Sequence, residues 1–311
     1  VTTSRVAAPA DVDRQELVRG LGGAAIAVCA WSTGTVIVKY IDMGGLAIGA
    51  YRFALFSIGM LVWMEVRGTP FRWRALRESM WGGIALGGDI ALFFSAVKLT
   101  SVVNATIIGS LQPIVVGVVA ARFFGEEIKR RDALWSLVAL AGVFVVVTSG
   151  PGGDDSSWQG DLLAFGAMAA WSAYFIFSKR SAGTLTSTEF TAGTAVWSAL
   201  ICTPLAFLLG QDMSIPDAES WLWLIAMTIA AGIVGHTLMN WSLVRIPLWV
   251  GSTFTLLIPV FSAILAWMFL DEPISLPQAV AMAVVVGSLA AIVHNQRQKP
   301  VAEIATEEVV T

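Results

Sequence analysis

Ala30-Trp31-Ser32, then six residues, then Lys39 recurs as Ala170-Trp171-Ser172, then six residues, then Lys179, a shift of 140 positions. Working outward, Ser95, Lys98 and Leu99 fall opposite Ser242, Arg245 and Ile246, and Leu111-Gln112-Pro113 falls opposite Leu257-Ile258-Pro259. Gly125-Glu126-Glu127-Ile128 is then answered by Asp271-Glu272-Pro273-Ile274. The spacing drifts only from 140 to about 147, so the chain reads as two related halves.

Composition says where those halves reside. A soluble chain carries about 25% charged residues; this one carries 13%, with 56% hydrophobic residues and a mean hydropathy of +0.75. It belongs in a membrane. The first nineteen residues are polar, and the apolar stretch after them lacks a small-residue cleavage site, so no removable leader is expected. Cys29 and Cys202 lie in apolar runs without CxxC spacing, which gives disulfide, zinc and redox chemistry no support.

A membrane helix needs roughly 20 apolar residues to cross about 30 Å of hydrocarbon. Ten stretches qualify, near 20–40, 44–65, 79–97, 101–124, 133–150, 161–178, 188–210, 220–244, 250–270 and 276–294. The expected fold is therefore an all-α integral membrane protein, with ten transmembrane helices in two inverted five-helix repeats around a central cavity. Its divisions are a 1–19 N-terminal segment, a 20–150 first repeat, a 151–160 linker, a 161–294 second repeat and a 295–311 tail.

Inversion follows from charge. Arg5, Arg14 and Arg19, the cluster Arg67 to Arg77, the group Arg122 to Arg131, Lys179 and Arg180, Arg245, and Arg297 with Lys299 all fall on one side if every stretch spans. Basic loops stay cytoplasmic, which puts both termini there in a multi-pass protein. Lys39, Arg52 and Lys98 lie toward the other side, where the loops are neutral or acidic, as at Asp154-Asp155. Five spans per half is an odd number, so the second half enters from the opposite face. Inverted repeats are how many secondary transporters build two states of similar energy.

Ionisable groups deep in a bilayer usually face a cavity or a partner. Asp89 in helix three and His236 in helix eight occupy equivalent places at an offset of 147, which suggests similar depth and a proton-linked or substrate-binding pair. Asn240 lies one turn beyond His236 on the same face and could meet a substrate carboxylate or a neighbouring helix. Arg52 is expected to snorkel outward or to pair with an acidic group. Trp31 and Trp171 fall near mid-span, and with Tyr174 they are candidate cavity walls. Trp63, Trp81, Trp158, Trp221 and Trp249 sit near span ends, as an aromatic belt requires. Pro113 and Pro259 are repeat-related and mid-span, so kinks are expected there, freeing the carbonyls of Gly109 and Thr255. Ser110, Ser252, Thr253 and Thr255 supply hydroxyls beside them, and Ser110 and Thr253 join the candidate cavity set.

No Walker loop, GxSxG elbow, HExxH or Cys/His cluster occurs in the sequence, so neither an enzyme nor a metal or cofactor site is expected. Ten spans in inverted halves, the repeated Trp-Ser…Lys stretch, a Pro in each fourth helix and an acidic pair closing it (Glu126-Glu127; Asp271-Glu272) resemble the EamA-type members of the drug/metabolite transporter superfamily. Within it, the chain is most similar to the YddG-type bacterial exporters of aromatic and other neutral amino acids. That resemblance implies a basket of helices one to four and six to nine, with five and ten peripheral. It also implies export of amino acids such as phenylalanine, threonine or methionine by alternating access. The expected partners are a small-molecule substrate and the lipid bilayer, with no nucleic acid, and the protein acts as a monomer or weak dimer. Proton coupling stays open. Proton-linked drug or metabolite efflux, and a membrane receptor or scaffold that binds without transporting, are the competing expectations.

Overall fold

The computed structural model describes residues 9–150 and 157–298. Arg5, Asp154-Asp155 and Lys299 lie outside the described residues. The first half runs α1 (Pro9–Ile37), α2 (Gly45–Val66), a short α3 (Trp73–Glu78) in the basic loop, α4 (Met80–Ala96), then α5 (Val102–Gly109) and α6 (Gln112–Phe123) as one interrupted span, and α7 (Arg130–Thr148). The second half runs α8 (Trp158–Ser181), α9 (Ser187–Leu208) and α10 (Ala218–Met227), which passes through a π-helical stretch, Thr228–His236, into α11 (Thr237–Leu243). There follow α12 (Leu248–Phe254), a 3-10 turn at Thr255–Leu257, α13 (Ile258–Leu270) and α14 (Leu276–Arg297).

Among the described residues nine helical runs are long and apolar enough to cross a membrane. The tenth, α4, has 17 residues; at 1.5 Å per residue it reaches roughly 26 Å, a little less than the hydrocarbon thickness. Side chains cap several entries. Asp217 accepts the Ser220 amide at 2.7 Å at the start of α10, and the hydrogen bonds from Ser220 hold its carboxyl below the usual range.

The halves interdigitate. In the first half's terms, α1 packs on the π-helical stretch, α11 and α13; in the second half's terms, α8 packs on α4, α5 and α6, the repeat-related arrangement. α2 lies against α9, and α7 pairs with α14 at the periphery. There Asp132 accepts hydrogen bonds from Asn295 at 2.6 Å and Gln296 at 3.2 Å. The exposed indoles of Trp63, Trp81 and Trp158 suit a lipid belt. Trp249 departs from that expectation: it is 2% exposed, because the start of α12 is drawn under the opposite half.

Two glycines record the symmetry. A β-carbon at Gly20 would stand 2.7 Å from Ile246 Cγ2, and one at Gly160 would stand 2.6 Å from the Leu99 carbonyl carbon and the Thr100 nitrogen. The partners are themselves repeat-related, one at the end of α11 and the other at the end of α4. Since the Gly160 contact is with backbone, relief requires the helices to separate. Gly160→Ala is expected to destabilise the protein by about 1–3 kcal/mol through overpacking, read as a lower melting temperature in detergent. Gly22→Ala, which meets nothing within 4 Å, should leave it unchanged.

Pro113 and Pro259 stand in the first turns of α6 and α13. The spans are thus broken just before the prolines rather than kinked at them, since a helix's first turn needs no donor there. The two breaks touch: Thr255 Oγ1 donates to Gln112 Oε1 at 3.0 Å. Ser32 supplies a hydroxyl to the carbonyl of Ile258 at 3.3 Å. The repeat's serine and its proline thus meet across the halves.

Candidate functional site

Trp31 and Trp171, related by the repeat, meet in a T-shaped contact with ring centroids 5.0 Å apart. His236 lies 5.3 Å from Trp31 and 5.5 Å from Tyr174, and Tyr174 stacks on Trp171 at 5.4 Å. Phe56 stacks on His236 from α2, and Phe175 closes the group. Such offset aromatic pairs are each worth about 0.5–1.5 kcal/mol beyond their buried area. The wide turns of the π-helical stretch end at His236, and π geometry recurs at functional sites. Gly235 admits the Trp31 indole there: a β-carbon would sit 2.6 Å from Trp31 Nε1. That Nε1 is buried with no hydrogen-bond partner among the described residues, as is Gln112 Nε2 at the α5/α6 break.

Beneath the aromatics lies a polar layer. The Tyr174 hydroxyl is 3.0 Å from His236 Nδ1 and accepts from Asn240 Nδ2 at 2.8 Å. Ser178 donates to Asn240 Oδ1 at 2.7 Å, and Asn240 Nδ2 also donates to Thr191 at 2.9 Å. Both ends of this amide are engaged by protein, so Asn240 ties α8 and α9 to α11 beneath the aromatic layer.

One face of the molecule is fastened. Glu126, at the end of the α6 span, accepts the amides of Leu248 at 2.6 Å and Trp249 at 3.1 Å. Lys179, at the end of α8, donates to the carbonyls of Leu243 at 2.9 Å and Ile246 at 3.0 Å and stands 4.0 Å from Glu126. Together they satisfy orphan groups on either side of the α11–α12 turn. This is the face where α1 starts and α14 ends, and there Glu16 pairs with Arg245 at 2.7 Å and Arg131 with Asn295. On the opposite face Tyr40 donates to the Phe269 carbonyl at 2.9 Å and Tyr51 to the Met213 carbonyl at 3.0 Å, but the counterpart of the Glu126 cap is not made among the described residues. Lys39 is exposed and Glu272 half-buried, and neither makes a side-chain hydrogen bond or ion pair among the described residues. Leu99 and Val102, which correspond to Ile246 and Leu248, are 50% and 62% exposed.

Of the residues flagged from sequence, the fold brings Trp31, Trp171, Tyr174, His236 and Asn240 together. Ser110 and Thr253 stand apart at the helix breaks, their hydroxyls returned to the carbonyls of Thr106 at 2.7 Å and Trp249 at 2.8 Å. Asp89 and His236 do not touch. A two-fold axis in the membrane plane maps one depth onto its mirror, so equivalent places share a depth only at the midplane. Each residue is about two turns from its helix end, but those ends lie on opposite faces. Of the two expectations for Arg52, snorkelling is not met: it is 9% exposed, turned inward, and within electrostatic reach of both Asp89 and His236. The sequence reading assigned no role to Glu126, Lys179, Ser178, Thr191 or Gln112. The repetition of the lysine and the acidic pair was the available signal for the first two.

Residues 18–148 and 158–294 each match the EamA-like transporter family. The chain is similar to YyaM, an uncharacterized transporter of Bacillus subtilis strain 168, with 25% identity over 252 residues, covering 78% of this chain and 82% of that one. It is also similar to the threonine/homoserine exporter RhtA of Escherichia coli K12, with 21% identity over 272 residues, covering 84% and 86%. A protein crystal structure with 21% identity covers 92% of this chain and 99% of its own with a TM-score of 0.76, and so shares the fold. With both halves matched, the chain belongs to the EamA-like transporter family, within the drug/metabolite transporter superfamily.

Proposed function

We propose that the protein exports neutral and aromatic amino acids across a bacterial inner membrane by alternating access, with both termini cytoplasmic. The observation that carries this reading is a cap made across the halves on one face: Glu126 accepts the amides of Leu248 and Trp249 with Lys179 beside it, while the repeat counterparts Glu272 and Lys39 make no side-chain hydrogen bond or ion pair among the described residues. By the distribution of basic loops the fastened face is cytoplasmic, so this is the outward-open state. The aromatic layer is its floor, and half-buried Trp171 presents a surface on which a substrate side chain can pack. In the inward-open state the repeat exchanges roles: Glu272 caps the amides of Val102 and Val103, and Lys39 reaches the carbonyls of Ala96 and Leu99. The similarity to RhtA and the resemblance to YddG-type exporters both favour amino acids as cargo.

The test is counterflow of labelled threonine, homoserine, phenylalanine and methionine in proteoliposomes, with and without a proton gradient. Saturable exchange of at least one, reduced at least tenfold in Trp171→Ala while the variant keeps its melting temperature within a few degrees, is expected. Absence of flux for all four in a folded sample overturns the amino-acid reading. Flux of cationic drugs in its place, driven by a proton gradient, would establish the efflux alternative.

A further inference from the structure

Two opposite charges stand in the membrane interior without a direct ion pair between them among the described residues. Arg52 is in α2, about two turns from the end at Gly45, and Asp89 is in α4, about two turns from the end at Ala96, so the two share a depth on the unfastened side. Arg52 Nε is buried without a hydrogen-bond partner among the described residues. Its guanidinium makes no ion pair among the described residues, and its one close ring is Phe53 at 5.3 Å. Asp89 is half-buried and accepts no hydrogen bond among the described residues. Each lies within electrostatic reach of the other and of Cys202, which rests against the Gly87 carbonyl at 3.7 Å. The arrangement is unusual because charges in a membrane ordinarily pair directly, and leaving each alone costs several kcal/mol. Such a pair, held apart, fits a ligand that carries both charges itself.

We infer that Arg52 and Asp89 form the zwitterion receptor of the transporter, the guanidinium taking the α-carboxylate and the Asp89 carboxylate taking the α-ammonium. A planar guanidinium matches a carboxylate with two parallel hydrogen bonds. The receptor stands above the aromatic floor, since Phe56, one turn from Arg52 on α2, stacks on His236. A bound amino acid therefore hangs its side chain toward Trp31 and Trp171. Selection by backbone charges with a loose side-chain pocket accounts for a range of neutral amino acids as cargo. Asn240 and His236, engaged by Tyr174, are not needed for the carboxylate.

This inference rests on the amino-acid reading above, and the experiment separates their failures. Competition against labelled threonine is measured in proteoliposomes using unlabelled threonine, its methyl ester, which lacks the carboxylate, and its N-acetyl derivative, which lacks the ammonium. In the wild type, both derivatives are expected to compete at least tenfold more weakly than threonine. Asp89→Asn should narrow the gap for the N-acetyl derivative alone, and Arg52→Gln the gap for the methyl ester alone, each to about threefold or less. The charge-exchanged Arg52→Asp/Asp89→Arg variant serves as a second check where a single variant does not fold, and should recover binding of threonine above either single variant. If the wild type moves threonine but competes equally with both derivatives, or if the variants keep the wild-type order, the receptor assignment is overturned while the transport reading stands. If the wild type moves no amino acid at all, the transport reading itself fails.

Discussion

Glu126→Gln is expected to slow transport at least tenfold and to make the cytoplasmic side of the floor reachable by aqueous reagents. Its carboxylate receives two backbone amides, from Leu248 at 2.6 Å and Trp249 at 3.1 Å, and Lys179 stands beside it. Hydrogen bonds to a charged acceptor contribute about 1.5–3 kcal/mol each. Glutamine keeps one acceptor oxygen, but turns an N–H donor toward the second amide. The fastened state should lose roughly 2–4 kcal/mol, which moves the balance between states by about thirtyfold to a thousandfold at 1.4 kcal/mol per decade. Ser187 is a suitable reporter, because it is half-buried near that face and its hydroxyl donates to the Asn240 carbonyl at 3.3 Å. In a background of Cys29→Ala and Cys202→Ala, a Ser187→Cys thiol should react with membrane-impermeant maleimide slowly, and much faster once Glu126→Gln is added. Glu272→Gln should do the opposite, protecting the thiol further while also slowing transport, since it weakens only the inward-open state. Unchanged labelling and transport in both variants would dismiss the exchange of fastenings.

Periodicity and repetition made the fold legible. Ten apolar stretches, a recurring Trp-Ser…Lys stretch and a one-sided distribution of arginines suffice to specify two inverted five-helix halves, and the helices fall where the stretches do. The aromatic layer was visible for the same reason: Trp31 and Trp171 occupy one place in two copies of a unit, and a two-fold axis brings near-axial positions together. What stayed hidden depends on which way a side chain turns about its helix. Arg52 was expected either to snorkel outward or to pair with an acidic group, and the choice depends on which side of α2 faces the interior: it is 9% exposed. The π-helical stretch that carries His236 has no composition of its own, since an extra residue in a turn is a choice made by packing. Glu126 looked like a loop carboxylate beside other charges. Its partners are backbone amides about 120 residues away, which no local pattern announces.

Asn240→Leu separates bracing from binding and should cost the protein more than any other substitution in the polar layer. The amide joins Tyr174, Ser178 and Thr191, and all three hydroxyls lie in the buried interior. Hydrogen bonds between membrane helices average about 0.6 kcal/mol, with upper values near 1.7. Three losses together with the hydroxyls left facing an isobutyl group give roughly 2–5 kcal/mol, the larger figures applying if no water enters to replace the amide. Because the layer ties α8 and α9 to α11, the floor it supports must loosen between them. Transport should fall about a hundredfold and the melting temperature should drop. Equilibrium binding of threonine by calorimetry should stay within about threefold of the wild type, because the charged ends of the substrate are held elsewhere. Tyr174→Phe removes one hydroxyl and leaves the aromatic stack, so it should show the same pattern with a smaller loss. A tenfold or greater weakening of binding in Asn240→Leu, at an unchanged melting temperature, would instead make the amide a ligand for the substrate carboxylate, and the floor would have to be redrawn with Asn240 facing the cavity.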